Sequence, residues 1–247
     1  MKKNGVALTG TLETNGVTFY TRNGKTIIRS ATSLQPERRS LKQFVGRERM
    51  AHSTTLWRRL KWQVQPLFTG GANPYARFMS LASKMPVVYL TAEEHRSGGS
   101  LLIPGMPVAD GELPRIECTL GELDGQPALY TNLPAKLTTR DSLRFYTFTQ
   151  RMEQRTPKVN IYTELQNVDN HHEYSAFRDT ELRFVDGKAV LVGEMFADDM
   201  KGWALIHISG DQWTSAQVVT RCNFYERYTT EEAMMAAAAS YGGLTDK

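Results

Sequence analysis

The sequence predicts a β-rich α+β fold: an N-terminal β-ribbon with one long and one short helix, then an antiparallel immunoglobulin-like β-sandwich, then a short C-terminal helix. Three observations carry this. The opening segment alternates polar and apolar residues between Asn-Gly pairs, a proline-started helical stretch follows, and from residue 86 short apolar runs alternate with turn signals.

In the opening segment, "VALTGTL", "VTFYTR" and "TIIRS" read as three short strands. Asn15-Gly16 and Asn23-Gly24 supply the positive-φ pairs that tight hairpins need, so the strands should pair antiparallel. Such a ribbon cannot bury its apolar side alone. The next element offers a partner, because Pro36 suits a first helical turn and residues 37–63 hold one glycine and no proline. At ~100° per residue, Leu41, Phe44, Val45, Ala51, His52 and Leu56 fall on one side of this helix, the side expected to face the ribbon.

Pro66 and Gly70-Gly71 stop the helix, and "PYARFMSLASKM" after Asn73 reads as a shorter one. Beyond it, "VVYLTA", "RIECTL", "PALYTNL", "LRFYTFTQ", "KVNIYTELQ", "TELRFV", "KAVLVGEMFA", "WALIHIS" and "SAQVVTRCNFY" all favour strand. Asp124-Gly125, Asp186-Gly187 and Gly210-Asp211 separate several of them, the pattern of an antiparallel sandwich. Thr229 stands three residues before Glu232, a capping-box spacing that predicts a final helix ending at Gly242-Gly243. The reading divides the chain into a basic region, 1–85, and a β domain, 86–247.

Charge is distributed unevenly. The net charge is +4, yet residues 1–65 hold 13 basic and 3 acidic residues, a balance of +10, against 17 and 23, a balance of −6, in the rest. The two cysteines, Cys118 and Cys222, are too few for a disulfide framework and are expected to be free thiols. No apolar run approaches the ~18 residues that span a bilayer, and no secretory leader is visible. The expected location is cytoplasmic, or virion-associated if the protein comes from a phage.

The segments "NGVTFYTRNGKTIIRS", "SLQPERRSLKQFVGRERM" and "LLIPGMPVADGELP" together resemble an uncharacterised domain family of Bacteroidetes. In that family a "GK-V-R" opening leads to a basic helix, a "P-V-x-x-G-x-L" turn and a β-rich tail. The matching positions are Gly24-Lys25, Ile27, Arg29, Gln43 to Arg47, Pro107-Val108, Gly111 and Leu113. Arg38-Arg39 and Arg47 with Arg49 are richer in arginine than the family pattern, and the middle strands have no match by eye. The family brings no known activity. Similar openings in phage and mobile-element proteins are an analogy for membership of a larger assembly.

No phosphate-cradling loop, nucleophile elbow or zincin motif occurs. His171-His172 beside Asp169 and Glu173 could ligate a metal, but adjacent strand residues face opposite ways, and an exposed loop explains them. Asp198-Asp199 with Glu194 and Asp186 could hold a hard cation, although turn chemistry suffices. Glu93-Glu94-His95 offers carboxylates near an imidazole and reads as a loop. No catalytic residue, metal or cofactor is therefore expected, and the protein is read as a non-catalytic structural or interaction protein.

The feature with functional weight is a basic collar: Arg22, Lys25, Arg29, Arg38, Arg39, Lys42, Arg47, Arg49, Arg58 and Arg59. It suits docking on an acidic protein surface, copies of the same chain included, since the β part is itself acidic. The alternative is nucleic acid, with Phe19, Tyr20, Trp57 and Trp62 available to stack on bases. A plain solvated face is the third reading. No membrane partner is expected.

Overall fold

The computed structural model describes residues 12–14, 17–22, 25–30, 40–69, 73–169 and 172–244, and its contacts divide the chain into two compact units. One comprises Met1–Ser40 with Thr245–Lys247, the other Leu41–Leu244. The first holds three antiparallel strands, β1 (Leu12–Thr14), β2 (Val17–Arg22) and β3 (Lys25–Ser30), in the order β1-β2-β3. The division at Ser40 corrects the expected boundary at residue 85. The helices that follow belong with the β part because they share its core.

Helix α1 spans Leu41–Val64, starting later than expected, while Pro36 lies outside the described residues. Its buried residues step by four along Phe44, Glu48, His52, Leu56, Leu60 and Val64, with Ser53 and Trp57 beside them. A four-residue step exceeds the 3.6-residue turn, so the buried ridge winds round the helix. Of the residues expected on one side, Phe44, His52 and Leu56 are buried while Leu41 is 49% exposed, and Phe44 packs against Tyr89, Ala237, Ala238 and Tyr241 of its own unit. A 3₁₀ turn (Gln65–Leu67) leads on to α2 (Pro74–Ala82), capped by Asn73 and burying Phe78.

"VVYLTA" is not a strand. Val88 and Leu90 are buried in irregular chain, and Thr91 caps a short helix, α3 (Ala92–Arg96), through a capping box with Glu94. Strand β4 (Pro107–Ala109) follows. Leu113 N–H donates to the Trp213 carbonyl at 3.0 Å, and Gly111 passes so close that any Cβ there would meet that carbonyl.

Two antiparallel sheets come next. The first is built from β5 (Cys118–Leu123), β6 (Gln126–Pro134), β9 (Glu181–Val185) and β10 (Lys188–Val192), in the order β5-β6-β10-β9. The second holds β7 (Asp141–Glu153), β8 (Thr156–Asn167), β11 (Lys201–Ser209) and β12 (Gln212–Trp213), in the order β12-β11-β7-β8. Strand β13 (Ala216–Gln217) pairs with β4, and β14 (Val219–Thr220) with β11. Inner-face residues of both sheets share one core: Leu129 and Leu191 from the first, Leu143, Phe145, Trp203 and Leu205 from the second. The other face of the second sheet, with Tyr146, Phe148 and Ile206, packs on α1, α2 and the buried run Leu101 to Ile103.

The chain closes with a 3₁₀ turn (Phe224–Tyr228), which replaces the end of an expected strand, and α4 (Glu231–Ser240). The cap of α4 is Thr230, one residue later than the spacing predicted, and Thr229 instead donates its hydroxyl to the Glu226 carbonyl.

Asp124-Gly125 and Asp186-Gly187 turn their hairpins with positive φ at both residues. The β7–β8 hairpin does the same with Gln154 (φ 50°) and Arg155 (φ 65°), where side chains crowd the backbone. Replacing this pair by Asn-Gly is expected to stabilise the fold by about 1–2 kcal/mol. A higher denaturation midpoint with unchanged slope checks it.

Candidate functional site

The ten residues of the collar are distributed over both units. Arg22 is the register partner of Lys25, and Arg29 of Thr18, so these three positions fall on one face of the β1-β2-β3 sheet. Lys25 is exposed, and Arg38 and Arg39 lie outside the described residues. The remaining five are on α1.

The winding ridge decides the electrostatics of α1. Glu48 is the only carboxylate in the helix and it occupies the ridge, 2% exposed. Its Oε2 lies 3.0 Å from His95 Nε2 on α3 and accepts from Leu90 N–H at 3.2 Å. One turn on, His52 accepts from Leu101 N–H at 3.0 Å; burial, reinforced by nearby His95, pushes this imidazole down to about 3, so it is neutral. The outer surface of α1 carries no negative charge. Lys42, Arg47, Arg49 and Arg58 are exposed, and Lys42, Arg49 and Arg58 form no salt bridge among the described residues. Arg59 departs from the pattern: it is half-buried and donates from Nη2 to the Gly98 carbonyl at 2.8 Å. Burial holds its guanidinium below the ordinary value, opposed by the charge of Glu153.

At the end of α1, Trp62 is 83% exposed, and Lys61 Nζ stands 4.7 Å from its ring centroid. Trp57, the other base-stacking candidate on the helix, is buried against Phe78 and Phe68.

The other candidate residues make local contacts. His95 pairs with Glu48 instead of forming a site with its neighbours in sequence, while Glu94 completes the Thr91 cap. His172 sits in a turn closed by its N–H on the Asp169 carbonyl, and His171 lies outside the described residues. Asp198 caps Met200 N–H and pairs with Lys201 at 3.0 Å, and Asp186 is half of a tight turn. Among the described residues no three His, Cys, Asp or Glu side chains gather as a metal site.

Some polar contacts carried no sequence signal. Asp141 lies 3.1 Å from His207 across paired strands. Burial would raise its pKa, but hydrogen bonds from Ser209, Thr138 and His207 outweigh burial and hold the carboxyl down to about 2. Burial pushes the Cys118 thiol up to about 12 and also raises Cys222, and both are unbridged. A shallow groove of about 470 Å³ lies between β5 and β14, with Arg115 and Arg221 in its lining. No described helix is long and apolar enough to cross a membrane.

No family model and no curated protein matches the sequence.

Proposed function

We propose that this is a non-catalytic interaction protein that docks through its basic N-terminal part onto an acidic protein surface, copies of itself included. One observation carries the reading. The single carboxylate of α1 is turned into the core, so every charge that the helix presents to solvent is positive. A solvated helix face of no further use commonly mixes both signs.

The strand orders β5-β6-β10-β9 and β12-β11-β7-β8 support an immunoglobulin-like sandwich, since they follow the ABED and GFCC′ orders of that fold. Many cell-surface domains share this architecture, which makes it compatible with a binding role. Exposed Trp62 beside Lys61 favours the second reading, nucleic acid, because an aromatic among cations can stack on bases.

Light scattering over a salt series, on the parent and on a variant with Lys42, Arg49 and Arg58 all changed to Ala, tests the proposal. The parent should form assemblies, or bind polyglutamate, in a salt-sensitive way, the variant should lose both, and duplex DNA should be retained by neither. Salt-sensitive duplex binding by the parent, with a slope near −0.9 per neutralised phosphate, would instead establish the nucleic-acid reading.

A further inference from the structure

We propose that copies of this chain assemble head to tail, the outer face of α4 of one copy docking on the outer face of α1 of the next. The inference rests on the reading that the protein assembles with its own copies, and it names the surface that the cations of α1 meet.

Two residues behind the buried ridge of α1 runs an outward row, Lys42, Gly46, Met50, Thr54, Arg58 and Trp62, also in steps of four. Two residues turn a helix by about 200°, so this row lies opposite the ridge along its whole length. All of it is exposed except the half-buried Thr54, and Met50 is 56% exposed. Gly46 leaves a gap in the row, since a Cβ there would meet nothing within 4 Å. Lys42 and Arg58 bracket this apolar stretch as the polar rim of a contact does.

An occupant that fits is on the same chain. Helix α4 has an outward row with the same step, Glu231, Met235 and Ala239, all exposed, Met235 by 53%. Its other side holds Ala237 and Ala238, which are buried with Phe44. Four residues rise about 6 Å in either helix, so the two rows match position by position when they run in the same direction. Glu231 then meets Lys42, the Met235 side chain enters the gap at Gly46, and Met50 lies on the small Ala239. In the reverse direction Glu231 would face Met50 and Ala239 would face Lys42, so only one direction joins opposite charges. Lys42, Glu231 and Glu232 form no salt bridge among the described residues, so no ion pair is broken to make this one. The other described helices lack such a face: α1 presents only positive charge, α2 has no carboxylate, and α3 is five residues long.

The contact has to be between copies. Within one chain α4 packs on the Phe44 side of α1, opposite Lys42 and Gly46, so its outer row cannot reach theirs. The two rows point away from each other, and contact between unlike faces adds copies in one direction, to a ring or a filament.

Sedimentation of the full chain tests this. Gly46→Gln fills the gap without changing any charge, and Met235→Arg puts a cation among those of α1. Both sites are exposed, so the two variants should fold as the parent does. Each alone should be a monomer where the parent assembles. Mixed in equal amounts they should form a dimer that grows no further, because the intact α4 of the first meets the intact α1 of the second and the remaining two faces are blocked. A parent that is monomeric at every concentration, a single variant that still assembles, or a mixture that stays monomeric or grows beyond the dimer would each overturn the proposal. If changing Lys42, Arg49 and Arg58 to Ala dissolves the assemblies while Met235→Arg leaves them intact, α4 is excluded and docking through the basic helix stands.

Discussion

Replacing Trp203 by alanine is expected to destabilise the protein by about 3–5 kcal/mol, the range for deleting a large aromatic side chain from a packed core. Trp203 is fully buried between the two sheets and meets the ring of Phe196 edge-on, with centroids 5.1 Å apart. It sits on β11, the inner strand that joins β7, so a void there loosens both sheets at once. Its indole N–H finds no acceptor among the described residues, so the side chain contributes by volume alone. Trp203→Phe keeps most of that volume and removes the unpaired donor, and should cost only about 1 kcal/mol. Denaturant titration of both variants checks this, and equal losses would show that the indole N–H is used.

Glu48→Ala should cost a similar amount, about 3–5 kcal/mol, for an electrostatic reason. The carboxylate is shared by His95 and the Leu90 amide, and Leu90 is fully buried, so alanine leaves two polar groups facing a void. Glu48→Gln keeps an acceptor for Leu90 N–H and should cost about 1 kcal/mol. The difference between the two variants, measured from denaturation midpoints, separates loss of the acceptor from loss of charge. A small effect of Glu48→Ala would mean that water replaces the carboxylate.

Much of the order of elements was legible because it depends on neighbours in the chain. Asp124-Gly125 and Asp186-Gly187 turn where any Asp-Gly pair would turn, and the alternation in "LRFYTFTQ" marks β7 wherever its partners lie. Gln154-Arg155 shows the limit: its left-handed turn is imposed by the pairing of β7 with β8, against the preference of both residues. The strand misread at "VVYLTA" has the same origin, since Val88 and Leu90 are apolar for burial under the helices and not for a ladder.

The candidate site divides in the same way. The surplus of cations, the lack of carboxylates around them and the acidic remainder of the chain are counts, and the sequence alone determined them. Which charges reach solvent was decided by packing along a four-residue ridge, which takes Glu48 and His52 inward and spends Arg59 on Gly98. Periodicity already placed Phe44, His52 and Leu56 on the packing side, but not Glu48, because a carboxylate looks like surface until Leu90 and His95, 42 and 47 residues away, supply its partners. Burial of a polar group is favourable only when its hydrogen bonds are met, and only the tertiary structure brings those partners within reach.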